Sequence, residues 1–310
     1  MYIAQSINMN ILQKNGYNGK VSVNLYGFKT NNNIFLNRFD NKIFFGAGWT
    51  PEIEESIRNC NIKEISQNLI QLGIETDFRE NKIIAWCCDK AVEIINQLNK
   101  KHKLGLILPK AIYVEDFSKL NIDNEKIYGF CNWVPAHVLK DSDKVFPERT
   151  LFFNSMHQWE NIDQVAELSY KSGRCSSPHF LSRFFHELGH SCQNGNLLKS
   201  HTLQQLSLLV KKLTSKECCI EYQRKFRDIT TKISREATDN PLETIAEDIA
   251  RKISEALNPK LSPTYNPFQS SFYLNKGIFI SLVLPFRIAT EEEKVERRLL
   301  KQVWNGKDFL

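Results

Sequence analysis

Residues 179–193 read HFLSRFFHELGHSCQ, with His186 and His190 four positions apart around Glu187. On a helix turning about 100° per residue, the two imidazoles lie about 40° apart on one face, one turn above the other. Both can reach a single zinc ion, which takes imidazole nitrogen at about 2.0–2.1 Å. Glu187 falls about 100° around from His186, too far to ligate well but placed to address a water on the metal. Gly189 has no side chain and lets another backbone or a substrate come close. Taken alone, so short a pattern is also a helix that happens to carry two histidines, so a third ligand decides its meaning.

The other histidines are His102, His137, His157, His179 and His201. A metzincin extension would need Gly and His where the chain has Gln193 and Asn196, and no methionine follows Met156 to make a Met-turn. That class is excluded. A carboxylate from a later helix is the other common solution, and TDNPLETIAEDIARKI offers it. Asn240 and Pro241 open a helix that projects Glu243 and, one turn on, Glu247 from one face. At that spacing Glu243 can ligate while Glu247 steadies a ligand histidine from behind. Asp248, about 140° from Glu243 on the helix, is the weaker alternative. Without the histidine pair the same segment reads as an acidic solvated face.

HELGH followed some fifty residues later by NPLETIAEDIA resembles the zincin-like domains of bacterial and phage-associated toxins, a group that includes the catalytic domain of anthrax lethal factor. Their distal helix carries N-x-x-E-x-x-A-E, matched here by Asn240, Glu243, Ala246 and Glu247. The small-residue approach YKSGRCSSPHFLSRFFHELGH is similar as well, and the resemblance covers about residues 100 to 257. It implies a zincin-like fold, one zinc ion per chain, Glu243 as third ligand and peptide-bond hydrolysis. In that chemistry zinc acidifies a water whose proton Glu187 takes as general base and later gives to the leaving amine. The partner is then a protein or peptide substrate. The group has a tyrosine seven residues before the ligand glutamate to stabilise the oxyanion, and this chain has Glu236 there. Either another donor takes its place, with Tyr222 and His201 the candidates, or the transition state is less well stabilised. The strand before the metal helix, TLFFNS with Phe152 and Phe153, is the expected substrate edge, with ordinary core as the alternative. Two rival readings stand beside the peptidase: a zincin-fold binding module that has lost turnover, and an antirestriction-type protein contacting DNA.

The elements that must position these residues are legible in outline. VSVNLYGF, NIFLNRF and KIFFGAG, between Val21 and Gly48, alternate like short antiparallel strands. Thr50 and Pro51 open a first helix, and IKEISQNLIQLG makes a second that stops at Gly73. Next come NKIIAW, a helical CCDKAVEIINQLNKKHKLG, and strands in AIYVEDF, IYGFCNWV and RTLFFNS. The helix NIDQVAELSYKSG precedes the metal helix, which is expected to be capped by Ser176 or Ser177 and closed by Asn194-Gly195. Everything after it to residue 257 reads as helix. The expected class is α+β: a small α+β unit at 1–80, a zincin-like metallopeptidase domain at 81–257 with a mixed sheet and a helical second half, and a C-terminal extension at 258–310 packing on the body. That extension ends in an amphipathic helix, TEEEKVERRLLKQVW.

Composition restricts the setting. The chain has 310 residues, 42% hydrophobic and 25% charged, enough to bury a core and not a disordered composition. Its charge of +6, from 41 basic and 35 acidic residues spread along the whole length, is too dilute to mark a nucleic-acid surface. The eight cysteines, including the adjacent pairs Cys87-Cys88 and Cys218-Cys219, read as reduced, buried thiols. Cys192 would project about 200° from His190 and reads as structural. No secretory signal opens the sequence, and the apolar run from Phe272 is too short to span a bilayer. The expectation is synthesis in the cytoplasm. The resemblance adds delivery outside the cell or into a host as a toxin or effector. Oligomeric state has no signature here.

Overall fold

The computed structural model describes residues 5–10, 20–25, 49–122, 127–257, 266–272 and 282. An antiparallel pair opens the chain: β1 (Gln5–Asn10) runs against β2 (Lys20–Leu25), with Gln5 opposite Leu25 and Asn10 opposite Lys20. The further strands expected up to Gly48 and the helix expected at the C-terminus lie outside the described residues.

Capping side chains set the next elements. Thr50 accepts a hydrogen bond from the Ile53 amide and Pro51 takes the first position of α1 (Pro51–Asn59). Asn61 caps α2 (Ile62–Gln71), and Gly73, at φ +79°, turns the chain into β3 (Glu75–Asp77). Asn81 Oδ1 accepts from the Ile84 amide at 2.9 Å, so α3 (Lys82–His102) already includes KIIAW. The adjacent thiols Cys87 and Cys88 are part of that helix's buried face. All eight cysteines are thiols, and every one but Cys60 is buried.

After α3 come β4 (Ala111–Glu115), β5 (Gly129–Cys131), β6 (Ala136–His137), β7 (Val145–Phe146) and β8 (Thr150–Asn154). They form two sheets, in the orders β2-β1-β6-β7 and β3-β4-β8-β5. In the second, β3, β4 and β8 are parallel and β5 is antiparallel to β8, with Phe130 opposite Phe152. Every residue of β4 and β8 is buried, as strands covered on both faces must be. On one face Phe130 stacks on Phe152, and Phe152 meets Tyr113 and Phe146. On the other, Phe153 packs on Phe184 of a long helix.

The rest is helical: α4 (Ile162–Lys171), α5 (Ser182–Leu197), α6 (Leu203–Leu213), α7 (Lys216–Thr230) and α8 (Pro241–Ala256). The architecture is α+β. Ile65, Leu69 and Ile74, which precede residue 80, belong to the same apolar cluster as the central sheet and α5. Downstream of α8, a short turn at Pro267–Ser270 buries Phe268, and the Phe272 amide donates to Asp248 Oδ2 at 2.7 Å. Among the described residues no helix is long and apolar enough to cross a membrane.

Candidate metal centre

The helix α5 carries HELGH through the middle of the molecule, buried on nearly all sides. It begins at Ser182, not at the serines expected to cap it, and Asn194 and Gly195 lie inside it instead of ending it. Tertiary contacts explain both corrections. Ser176 Oγ donates to the Glu247 carbonyl at 2.8 Å and Ser177 Oγ to Ser254 Oγ at 2.7 Å, so the approach loop is stitched along α8. Asn194 Nδ2 donates to the Trp133 carbonyl at 2.6 Å. Gly195 lies against Ile107, where a Cβ would come within 2.8 Å of the side chain.

Helix α8 begins at Asn240, whose Oδ1 accepts from the amides of Leu242 and Glu243 at 2.8 and 3.1 Å. Glu243 thus stands in the first turn, where the helix dipole favours a carboxylate. The two helices cross at Gly189: a Cβ there would lie 3.0 Å from the Ala246 Cα and 3.1 Å from its carbonyl oxygen. The backbone that the glycine admits is that of α8.

This crossing brings three potential ligand atoms together. His186 Nε2 lies 3.1 Å from His190 Nε2 and 3.2 Å from Glu243 Oε2, and His190 Nε2 lies 3.5 Å from the same oxygen. A tetrahedral zinc site with bonds of about 2.0–2.1 Å has ligand atoms about 3.3 Å apart, so this donor set fits the ion in type and spacing. His186 Nδ1 is bonded to Glu247 Oε1 at 2.8 Å, the orienting contact expected behind a ligand histidine. Burial works against charge on Glu243, but His190 and His186 hold its carboxyl far below the usual range. Likewise burial opposes protonation of His186, and its bonds to Glu243 and Glu247 raise its pKa well above the ordinary value.

Glu187 is buried beside this triangle, and its Oε2 has no hydrogen-bond partner among the described residues. Burial raises its pKa despite the opposing pull of both histidines. It fits because residue 129 is glycine: a Cβ there would come 3.3 Å from Glu187 Cγ and 2.9 Å from the Phe152 carbonyl oxygen. Trp133 packs edge-on to His190, with ring centroids 5.9 Å apart. Gly129 and Trp133 had no motif to announce them. They matter only because β5 lies against α5.

Other expected site residues lie elsewhere. Asp248 is engaged by Arg251 at 2.9 Å and by the Phe272 amide, which removes it as a ligand alternative. Tyr222 is fully buried with its hydroxyl on Thr244, fastening α7 to α8. His201 lies beyond the C-terminal end of α5 with Nδ1 3.1 Å from the Leu197 carbonyl, about two turns past His190. Phe152 and Phe153 are core, and β8 is an inner strand between β4 and β5. Among the described residues the edge beside α5 is β5. Cys192 is a buried thiol whose pKa burial pushes up to about 12, as a structural role requires.

Glu236, at the position of the tyrosine, accepts from Arg174 Nε and Arg183 Nη1, each at 2.8 Å. Burial alone would raise its pKa, and the two arginines lower it. No family model matches this chain, and no curated protein or solved structure matches it.

Proposed function

We propose that the chain is a zinc-dependent endopeptidase of the zincin-like kind, binding one ion through His186, His190 and Glu243 and using Glu187 as general base. The observation that carries this reading is the triangle of ligand atoms, with sides of 3.1, 3.2 and 3.5 Å, beside the unpartnered carboxylate oxygen of Glu187. When bound, zinc supplies Lewis acidity, polarising a carbonyl and acidifying a water. With the ion held by His186, His190 and Glu243, Glu187 would take a proton from the attacking water and return it to the leaving amine, a role its unpartnered Oε2 leaves open. Glu247 holds the proton on Nδ1 of His186, which leaves the Nε2 lone pair for the ion. The substrate adds as an extended strand along the sheet edge at Gly129–Cys131, next to the base.

A second reading, a zinc-holding binding module without turnover, draws on one observation. Glu236 stands where the resemblance expects the tyrosine, while the Tyr222 hydroxyl is on Thr244 and His201 Nδ1 is on the Leu197 carbonyl. The deciding experiment is mass-spectrometric profiling of new protein N-termini in bacterial and eukaryotic lysates treated with the zinc-loaded protein or with Glu187→Gln. Termini generated by the wild type alone identify a peptidase and its cleavage sequence. Identical profiles from two zinc-loaded, folded proteins favour the binding module.

A further inference from the structure

Behind the zinc ligands lies a set of charges that the proposed chemistry does not use. Arg183, on α5 one turn before His186, has a side chain 11% exposed and pairs with Glu236. Glu236 is tied again by Arg174, and its amide donates to the Arg174 carbonyl at 3.0 Å. Potential ligand atoms of His186, Glu236 and Glu247 all lie within 4.8 Å of one another. This group is not a second ion site: Glu236 is already neutralised by two guanidinium groups, and His186 Nδ1 is engaged by Glu247. Glu247, the carboxylate that orients His186, also acts electrostatically on Arg183, although among the described residues the two form no ion pair.

Two atoms in this group remain unmatched. Arg183 Nε and Glu247 Oε2 are both buried, and neither has a hydrogen-bond partner among the described residues. The first is a donor and the second a carboxylate oxygen able to accept. Leaving both unsatisfied is costly, the more so for charged groups, whereas a rotation of the arginine that joins them removes both penalties.

Resting on the zinc reading above, we propose that Arg183 is the positioning residue of the metal centre. After that rotation its Nε–H bonds Glu247 Oε2 while its Nη1–H, as in the structure, holds Glu236. The planar fork of a guanidinium suits two carboxylates at once, and a lysine ammonium does not reproduce it. Glu247, fixed through both oxygens, keeps the His186 ring in the orientation and tautomer that present Nε2 to the ion. In this chain the position of the missing tyrosine thus anchors the ligand cage.

The test is zinc affinity, measured by competition with a chromogenic chelator on the full chain, together with thermal unfolding in the absence of zinc. Replacing a buried ion pair by apolar residues of similar volume is often tolerated, so Arg183→Met with Glu236→Met is the main variant. The control pair is Lys252→Met with Glu255→Met, which removes an ion pair of 3.1 Å farther along α8. The expected result is a main variant that folds and binds zinc about 10- to 100-fold more weakly, with the control near wild type. Long-range nitrogen–proton NMR of the zinc-loaded main variant should also show faster exchange of the His186 Nδ1 proton. A folded main variant with wild-type affinity and exchange overturns the proposal. If the main variant does not fold, Arg183→Lys decides: a loss of about 10-fold supports the two-carboxylate fork, and unchanged affinity refutes it. A wild-type protein that binds no zinc refutes the zinc reading itself, and this inference with it.

Discussion

Glu187 and His179 stand eight residues apart on the way into α5, and burial acts on them through one cause with opposite signs. Removing either from water disfavours its charged form, so the acid's pKa rises and the imidazole's falls. For Glu187 the outcome is a carboxyl that holds a proton more readily. We expect Glu187→Gln to hold zinc as the wild type does and to lose peptidase activity by about 10²-fold or more; a fully active variant would remove Glu187 from the mechanism. His179 answers to pH through stability. Its Nδ1 accepts the Leu181 amide at 3.1 Å, which requires a neutral ring, and burial lowers its pKa from 6.5 to about 4. Above the unfolded value neither state carries the proton, so the residue contributes nothing to the slope. As pH falls from 6.5 toward 4 the unfolded chain takes up a proton that the folded one refuses, and stability drops by about 3 kcal/mol in all. Urea denaturation at intervals between pH 7 and 4 should show this loss in the wild type and a shallower one in His179→Gln. Parallel curves would show that the ring is not the source.

Two glycines make separable predictions about how the elements meet. Gly189→Ala places a methyl against the Ala246 backbone, which cannot swing aside as a side-chain tip can. Pushing α5 from α8 spreads the ligand triangle, so zinc affinity and stability should fall together, the latter by about 1–3 kcal/mol. Gly129→Ala instead presses on Glu187 and the Phe152 carbonyl, away from the ligand atoms. Its expected signature is lost turnover with zinc affinity largely kept, read by chelator competition beside a peptidase assay. Equal effects of the two substitutions would mean that the crossing and the base pocket are mechanically one unit. The sequence announced the elements better than their neighbours. Thr50, Asn240 and Gly73 act locally, through their own hydrogen bonds or backbone torsions, and stand where sequence rules place them. The limits of α5 were misjudged because Ser176 and Ser177 bond to α8 and Gly195 faces Ile107, partners far away in sequence. For β8 the clue was present: TLFFN is continuously apolar at its centre, the pattern of a strand covered on both faces, and such a strand is no edge.

At the scale of the whole molecule, the residues most legible in the sequence are those whose chemistry demands a fixed local spacing. His186, His190, Glu243 and Glu247 keep helical intervals within α5 and α8, and one helix crossing brings them together. Arg183, Glu236 and Trp133 were illegible as parts of the site because their roles come from juxtaposition of α5 with the turn before α8 and with the end of β5. That asymmetry has a thermodynamic consequence. An ion shared by His186, His190 and Glu243 would clamp two helices whose ligands are separated by more than fifty residues of chain. A ligand that binds only the folded state stabilises it by about 4 kcal/mol when present at about a thousand times its dissociation constant. For a chain of this size that is a rise in Tm of about 6 °C. Thermal unfolding in zinc and in excess chelator should therefore differ by this amount in the wild type and in Glu187→Gln, which keeps all three ligands. In Glu243→Ala the difference should collapse, because two imidazoles on one helix no longer reach across to the other. A wild type that melts at the same temperature in zinc and in chelator would mean that the triangle holds no ion. A Glu243→Ala protein with the full zinc-dependent rise would place the third ligand elsewhere, with Glu247, already bonded to His186, the nearest remaining carboxylate on α8.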